Sequence, residues 1–370
     1  MGDLPRTPMM RCAFLFLAAA AFASAAPLDL APLLEPVREK HKLPACGVAV
    51  IDAKGIIGIG VTGKRRIDRA TPATSEDLWH IGSCTKSMTA ALVGMLVDEG
   101  KLRWEMPITE ALPDFAAHAG WKAVTLEHLI TQRSGIAGMT RNQWRTLEAG
   151  DGTPRAQRAA FAKQLLAAAP AQPSGKFAYS NSGYGLLGAV LERAADKSYE
   201  ALLQERIFTP LKLTTAAFGA PAKKGEWEPS QPWGHYREGD VLSPATPSPD
   251  NQFPPALAPA ACVHMSLRDF AKYAWWISKN APSLVSADTF KKLMTPPAGS
   301  SYAGGLWQTE LPGIGGAAVS HSGHMGGFFG VFHSGETRAC VTVFNTEGGG
   351  WEWLGDELAS AALKAATSPK

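Results

Sequence analysis

The chain has 370 residues, 45% of them hydrophobic and 19% charged, with a formal net charge of only +3. That length supports one large domain or two lobes around a sizeable core. The densest basic spot is Lys64-Arg65-Arg66, and without a longer basic run there is no electrostatic footprint for nucleic acid.

Residues 1–25 read as an export signal. Arg6 and Arg11 flank the start, Ala13 to Leu17 is apolar, and Ala23-Ser24-Ala25 is a small-residue cleavage site. The apolar run is too short to span a bilayer, so no stable membrane insertion is expected. The mature chain, residues 26–370, is expected in the periplasm or the medium. Removal of Cys12 with the signal leaves Cys46, Cys84, Cys262 and Cys340, spaced too widely for a zinc site or a dense disulfide framework. Buried free thiols are the default, although a Cys84–Cys262 bridge is conceivable in an oxidising compartment.

Residues 28–42 have the spacing of an amphipathic helix, with Leu30, Leu33, Leu34 and Val37 on one side. Gly47–Ile51 and Ile56–Val61 form a predicted hairpin about the turn Asp52-Ala53-Lys54-Gly55. Next comes Ile81-Gly82-Ser83-Cys84-Thr85-Lys86-Ser87, ahead of a helical pattern that closes at Gly100. Ser83 and Lys86 therefore share one face of a helix start. A lysine one turn from a serine can take the hydroxyl proton if its own pKa is lowered, although a capping serine beside a surface lysine has the same spacing.

From Lys86 to about Pro282 the pattern is mostly helical. Thr125 is an N-cap for a short helix ending before Ser134-Gly135, and residues 155–169 and 182–195 read as helices. Between the last two lies Tyr179-Ser180-Asn181. Its phenol could shuttle a proton and its amide could orient a lysine or a substrate carbonyl; a packed tyrosine beside a capping asparagine is the plainer alternative. Ser198 starts another helix. Residues 221–260 hold nine prolines with Trp227, Trp233, His235 and Tyr236, as expected of a long ordered loop that shapes a pocket. Ser266 caps a further helix with Asp269 at the reciprocal position.

The C-terminal part returns to strands: 302–311, 317–323, 327–333 and 340–344. The closing helix, 351–366, presents Trp351, Leu354, Leu358 and Ala361 at inward spacing. His321-Ser322-Gly323 ends a strand, where Gly323 would let a substrate backbone approach and the N–H of His324 could face an oxyanion. A hairpin end with surface histidines fits the same residues. His321 and His324 lack a third ligand, so neither metal nor other cofactor is expected. The fold class is α+β: an antiparallel sheet built from both chain ends, about 28–82 and 285–370, beside a mostly helical lobe, about 83–284.

Taken together, Ser83-x-x-Lys86 at a helix start, Tyr179-x-Asn181 between helices and His321-x-Gly323 on a strand resemble the serine β-lactamase and penicillin-recognising enzyme superfamily. The resemblance is to its class C branch, which includes class C β-lactamases, D-alanyl-D-alanine carboxypeptidases, D-aminopeptidases and esterases. It extends to Gly100-Lys101-Leu102, Leu129-Ile130-Thr131, the run Tyr179 to Gly188, and Ser266-Leu267-Arg268-Asp269. It implies that Ser83 is acylated, that Lys86 accepts its proton, and that Tyr179 works with Lys86 and protonates the leaving group. Asn181 would hold Lys86 and the substrate amide, while His321, Ser322 and Gly323 bind substrate. The N–H groups of Ser83 and His324 would form the oxyanion hole. Sequence does not decide whether Lys86 or Tyr179 takes the first proton.

Three positions depart from the family pattern. His321 stands where class C β-lactamases usually have lysine, and a partly protonated histidine would attract a substrate carboxylate less reliably. Gln132-Arg133 replaces a frequent His-Thr pair, and Met106 precedes Pro107 where an acidic residue is common; both read as structural. Met325 and the aromatic loop around Trp233, His235 and Tyr236 are candidate substrate walls. The expected partner is a small-molecule or peptide substrate, an amide or ester. The alternative is a penicillin-binding sensor that acylates without turnover. Oligomeric state is not legible.

Overall fold

The computed structural model describes Gly2 and residues 26–138, 152–247, 254–278, 284–347 and 350–368. The export signal read at residues 1–25 lies outside the described residues.

Strand β1 (Leu28–Asp29) precedes helix α1 (Ala31–Lys40). The helix starts later than its spacing predicts, because the Asp29 carboxylate accepts the Ala31 N–H and Leu28 pairs with Gly58. Strands β2 (Ala45–Asp52) and β3 (Gly55–Gly63) form the expected hairpin. Its turn closes on a bond from Lys54 N–H to the Asp52 carboxylate, with Gly55 at φ +114. After β4 (Leu78–His80), a single 3-10 turn at Gly82–Cys84 leads into α2 (Thr85–Asp98). Short helices α3 (Ile108–Ala111) and α4 (Leu126–Ile130) follow, the latter capped by Thr125 as expected. Helices α5 (Pro154–Ala167), α6 (Asn181–Ala195) and α7 (Tyr199–Leu203) come next.

The proline-rich stretch is more structured than a loop. It contains the hairpin β6 (His235–Glu238) and β7 (Val241–Pro244), preceded by β5 (Ala217–Phe218) and followed by a 3-10 turn at Pro255–Ala260. Next come β8 (Val263–Ser266), α8 (Leu267–Trp276), α9 (Ala287–Met294), β9 (Trp307–Thr309), β10 (Ala318–Met325), β11 (Phe328–Ser334), β12 (Ala339–Phe344) and α10 (Glu352–Thr367). Ser266 caps α8, but the Asp269 carboxylate does not reach back to it. It accepts instead from the N–H and hydroxyl of Thr215.

The main sheet has the order β1-β3-β2-β12-β11-β10-β9. Strands from both chain ends meet where β2 pairs with β12, Cys46 opposite Phe344. Pairing is antiparallel throughout except at one edge, where β1 runs parallel to β3. The strand predicted for 302–311 shrinks to β9, with Tyr302 only bridging Trp307.

Alternation along β2 divides the core in two. Cys46, Val48 and Val50 face α1 and α10, whereas Ala45, Ala49 and Ile51 face the larger core on the other side. Helix α8 covers that second face, although the lobe boundaries drawn from sequence group it with the helices. Trp351, Leu354 and Leu358 are buried as expected, and Ala361 is half-buried. Behind α8 stands α2, buried on every side from Thr85 to Leu96, with Thr85, Lys86, Ser87 and Thr89 as its buried polar residues. It packs against α6, α9 and the 255–260 turn.

That turn is anchored by one buried cation. The Arg158 guanidinium, fully buried, donates to both Glu192 and Glu200 and to the Pro255 carbonyl at 2.8 Å. An arginine so enclosed is tolerable only while each N–H has an acceptor. Arg158→Ala leaves the buried Glu192 carboxylate without its cation, beside the half-buried Glu200. Its expected cost is about 3–5 kcal/mol, measured by chemical denaturation.

Candidate active site

Ser83 sits in the 3-10 turn ahead of α2, with β10 crossing beside it. The crossing is possible only between glycines. A Cβ on Gly82 would lie 2.6 Å from the His324 nitrogen, and one on Gly323 would lie 2.3 Å from the Ser83 nitrogen. Gly82 also adopts φ +51, a conformation that glycine takes at little cost. The Ser83 and His324 amides are thereby brought to one crossing.

One turn on, Lys86 is fully buried. Its Nζ lies 2.9 Å from Ser83 Oγ, 2.7 Å from Asn181 Oδ1 and 2.9 Å from the Ala260 carbonyl. None of these three partners carries a charge, and burial lowers the Lys86 pKa well below its ordinary value. A neutral amine matches this environment. Its two N–H groups serve Asn181 and Ala260, and its lone pair is left for the Ser83 proton.

Asn181 is the first residue of α6, so it reaches Lys86 from a separate element. Tyr179 is 39% exposed at the mouth of the site, yet its hydroxyl end is enclosed and hydrogen-bonded with Ser83. That enclosure raises the phenol pKa, with the Ser83 contact pulling the other way. Its ring faces the Lys86 nitrogen at 4.8 Å from the centroid. Ser83, Lys86, Tyr179 and Asn181 thus converge from two distant stretches of chain into one hydrogen-bonded group.

Strand β10 brings His321, Ser322, Gly323 and His324 alongside. The expectation of a partly protonated His321 is not met. Its Nδ1 lies 2.5 Å from the Ser322 carbonyl and its Nε2 3.2 Å from the Tyr302 hydroxyl, and the ring is buried. Burial first, then the neighbouring Lys86, lower its pKa to about 3. It is neutral throughout the physiological range. The His324 ring turns away to Glu352 at 2.9 Å, so the two histidines serve different partners.

The family whose model is described as Beta-lactamase matches residues 30–363. The chain belongs to the β-lactamase family. A protein named beta-lactamase from Escherichia coli strain K12 is 29% identical over 251 residues, covering 68% of this chain and 60% of that protein. The octameric penicillin-binding protein homologue from Pyrococcus abyssi superposes with a TM-score of 0.72 at 25% identity, over 90% of this chain and 76% of that one. The D-amino acid amidase of Ochrobactrum anthropi SV3 superposes at 0.71 and 19% identity, over 91% and 99%. This β-lactamase-family chain spans less than two thirds of the length of the first curated relatives it matches.

Several supports of the family site escaped the sequence reading. The Ala260 carbonyl leaves no side-chain signal at all. Thr85 ties the turn that carries it: its hydroxyl accepts the N–H groups of Cys262 and Val263 at 3.3 Å. Gln132, read as structural, has φ +59 and a buried side chain. Its carbonyl accepts the Ala178 N–H and its Oε1 accepts the Ser180 N–H, which holds the loop on either side of Tyr179. His80 accepts the Gly82 N–H at 3.0 Å and so steadies the turn before Ser83.

Other expectations change. Cys84 and Cys262 are free and buried, and the Cys84 thiol donates to the His321 carbonyl at 3.1 Å. Met325 and Trp233 line a shallow surface pocket with Gly326, His80 and Phe328, one that none of Ser83, Lys86, Tyr179 or Asn181 lines. His235 is not part of it. It is buried as a clip, accepting the Ile67 N–H at Nε2 and bonded through Nδ1 to the Asn345 carbonyl.

Burial holds three histidines neutral, with pKa lowered to about 3 for His80, about 4 for His235 and about 3 for His321. Below their unfolded value of about 6.5 the unfolded chain takes up protons that the native state refuses. Stability is therefore expected to fall as pH drops from 6.5 towards 4, by about 1.4 kcal/mol per pH unit for each such histidine. Urea midpoints measured across this range check it, and substitution of His235 by glutamine should flatten the slope.

Proposed function

We propose that this protein is an exported serine hydrolase that cleaves an amide or ester through a Ser83 acyl-enzyme. The observation that carries the reading is the hydrogen-bond environment of Lys86. A buried amine with two neutral acceptors and one hydroxyl is poised to accept a proton from that hydroxyl. Ser83 Oγ attacks the carbonyl carbon as its proton passes to Lys86. The Ser83 and His324 amides receive the developing oxyanion. Tyr179, held above its ordinary pKa, stays protonated and can relay a proton to the leaving atom. Water then cleaves the acyl-enzyme.

Family membership supports serine-hydrolase chemistry and leaves β-lactams, D-amino-acid peptides and small esters as substrate classes. The pattern read as an export signal at residues 1–25 supports action in the periplasm or the medium. The test is a parallel screen on a chromogenic cephalosporin, short-chain p-nitrophenyl esters and D-Ala-D-Ala peptides, with mass spectrometry of the protein during turnover. An adduct on Ser83 that clears with product release is the expected result. An adduct that persists would instead identify an acylated sensor.

A further inference from the structure

The loop that delivers Tyr179 also delivers a second aromatic ring. Phe177 and Tyr179 both meet Tyr302, so they share one side of the loop. The backbone N–H groups of Ala178 and Ser180 are both held by Gln132, which fixes that arrangement. Phe177 is a large ring left 43% exposed. Its centroid lies 5.7 Å from that of Tyr302 and 5.4 Å from that of Trp307, while Tyr302 and Trp307 meet edge-on at 4.7 Å. Tyr302 also meets Tyr179 edge-on at 6.3 Å. Tyr302 is fully buried and backs this cluster, so the accessible aromatic surface beside Tyr179 is made by Phe177 and the half-buried Trp307.

The strand beside this surface encloses the His321 ring and turns the His324 ring away to Glu352. His321 has both ring nitrogens committed, to Ser322 and to Tyr302, and is enclosed by protein. The nearest basic residue in the loop is Lys176, which is exposed.

We propose that Phe177 and Trp307, backed by the buried Tyr302, form the leaving-group subsite, and that it takes an uncharged aromatic or apolar alcohol or amine in preference to one bearing a free carboxylate. The inference rests on the Ser83 acyl-enzyme reading, in which Tyr179 protonates the leaving atom and so fixes the side on which that group lies. In the step, a bond forms between Ser83 Oγ and the carbonyl carbon. The bond from that carbon to the leaving oxygen or nitrogen breaks. The serine proton, passed through Lys86 and Tyr179, ends on the leaving atom, which departs as a neutral alcohol or amine. An aromatic wall rewards a flat apolar group by burial and ring contact. It leaves a carboxylate desolvated and unpaired.

The experiment compares N-acetyl-D-alanyl esters of benzyl alcohol, ethanol and D-lactic acid, so that the acyl group and the deacylation step are common to all three. The wild-type protein is expected to favour benzyl over ethyl, and ethyl over lactyl, each by about tenfold in kcat/KM. Phe177→Ala should cut the benzyl-to-ethyl ratio about tenfold, and Phe177→Leu should keep part of it. A wild-type preference for the lactyl ester, or a ratio untouched by both variants, would overturn the subsite. Fluorophosphonate labelling of Ser83 is read in parallel and does not involve this leaving group. Absence of labelling in the wild-type protein defeats the acyl-enzyme reading itself, whereas labelling with an unaltered ratio defeats only the subsite. If Phe177→Ala fails to label, the Leu variant carries the comparison.

Discussion

Ser83→Ala is expected to abolish covalent labelling by a fluorophosphonate or a penicillin and to lower hydrolysis by on the order of 10⁴-fold or more. The expectation follows from how the site is divided. Lys86 and Tyr179 both hydrogen-bond the Ser83 hydroxyl, and Asn181 holds Lys86 in place. The neighbouring Cys84 is no substitute. Burial raises its pKa far above that of a free thiol, and its sulfur already donates to the His321 carbonyl. The variant keeps the oxyanion amides, since the glycine crossing at Gly82 and Gly323 does not depend on the hydroxyl. A small residual rate is therefore compatible with the assignment, but labelling at another residue is not. Intact-mass spectrometry followed by peptide mapping decides it.

Lys86→Met should slow acylation by on the order of 10³-fold, the range typical of a lost general base. It should also remove a pH dependence. Lys86 acts as a base only when neutral, so wild-type acylation falls as pH drops through its depressed pKa, and the variant loses that limb. Stability provides an independent readout. The unfolded lysine is protonated below about 10.4, while the native one resists protonation until a much lower pH. Between those values the unfolded state binds one proton more, and lowering the pH favours it. The stability of the wild-type protein relative to Lys86→Met should therefore decline with falling pH, by up to about 1.4 kcal/mol per unit. Denaturant midpoints of both proteins between pH 10 and pH 7 measure it. Parallel curves would mean that Lys86 is charged in the native state and is not the base.

Much of the fold was legible from local pattern. The β2–β3 hairpin announced itself by two apolar runs about a turn, and α2, α6 and α10 by apolar spacing with identifiable ends. Boundaries failed where a side chain or a tertiary partner overrode spacing. Asp29 delays α1, β1 is drawn onto β3, and β9 is cut to three residues beside the Tyr302 bridge. The proline-rich stretch read as loop because its hairpin is short and is stabilised from outside. Arg66 stacks on Trp233, and His235 ties it to Ile67 and Asn345.

The sequence by itself determined that Ser83 and Lys86 would lie one turn apart, because a serine three positions before a lysine at a helix start is a local geometry. The spacing of Tyr179 and Asn181 in one loop is local in the same way. It could not determine protonation, which depends on what encloses a group rather than on what adjoins it in the chain. Only the tertiary structure decided that Lys86 meets three uncharged partners, one of them a backbone carbonyl 174 residues away. Only it decided that His321, a candidate cation by residue type, is sealed beneath Tyr302 and neutral. Desolvation is a property of the packed surroundings, and those surroundings come from segments hundreds of residues apart.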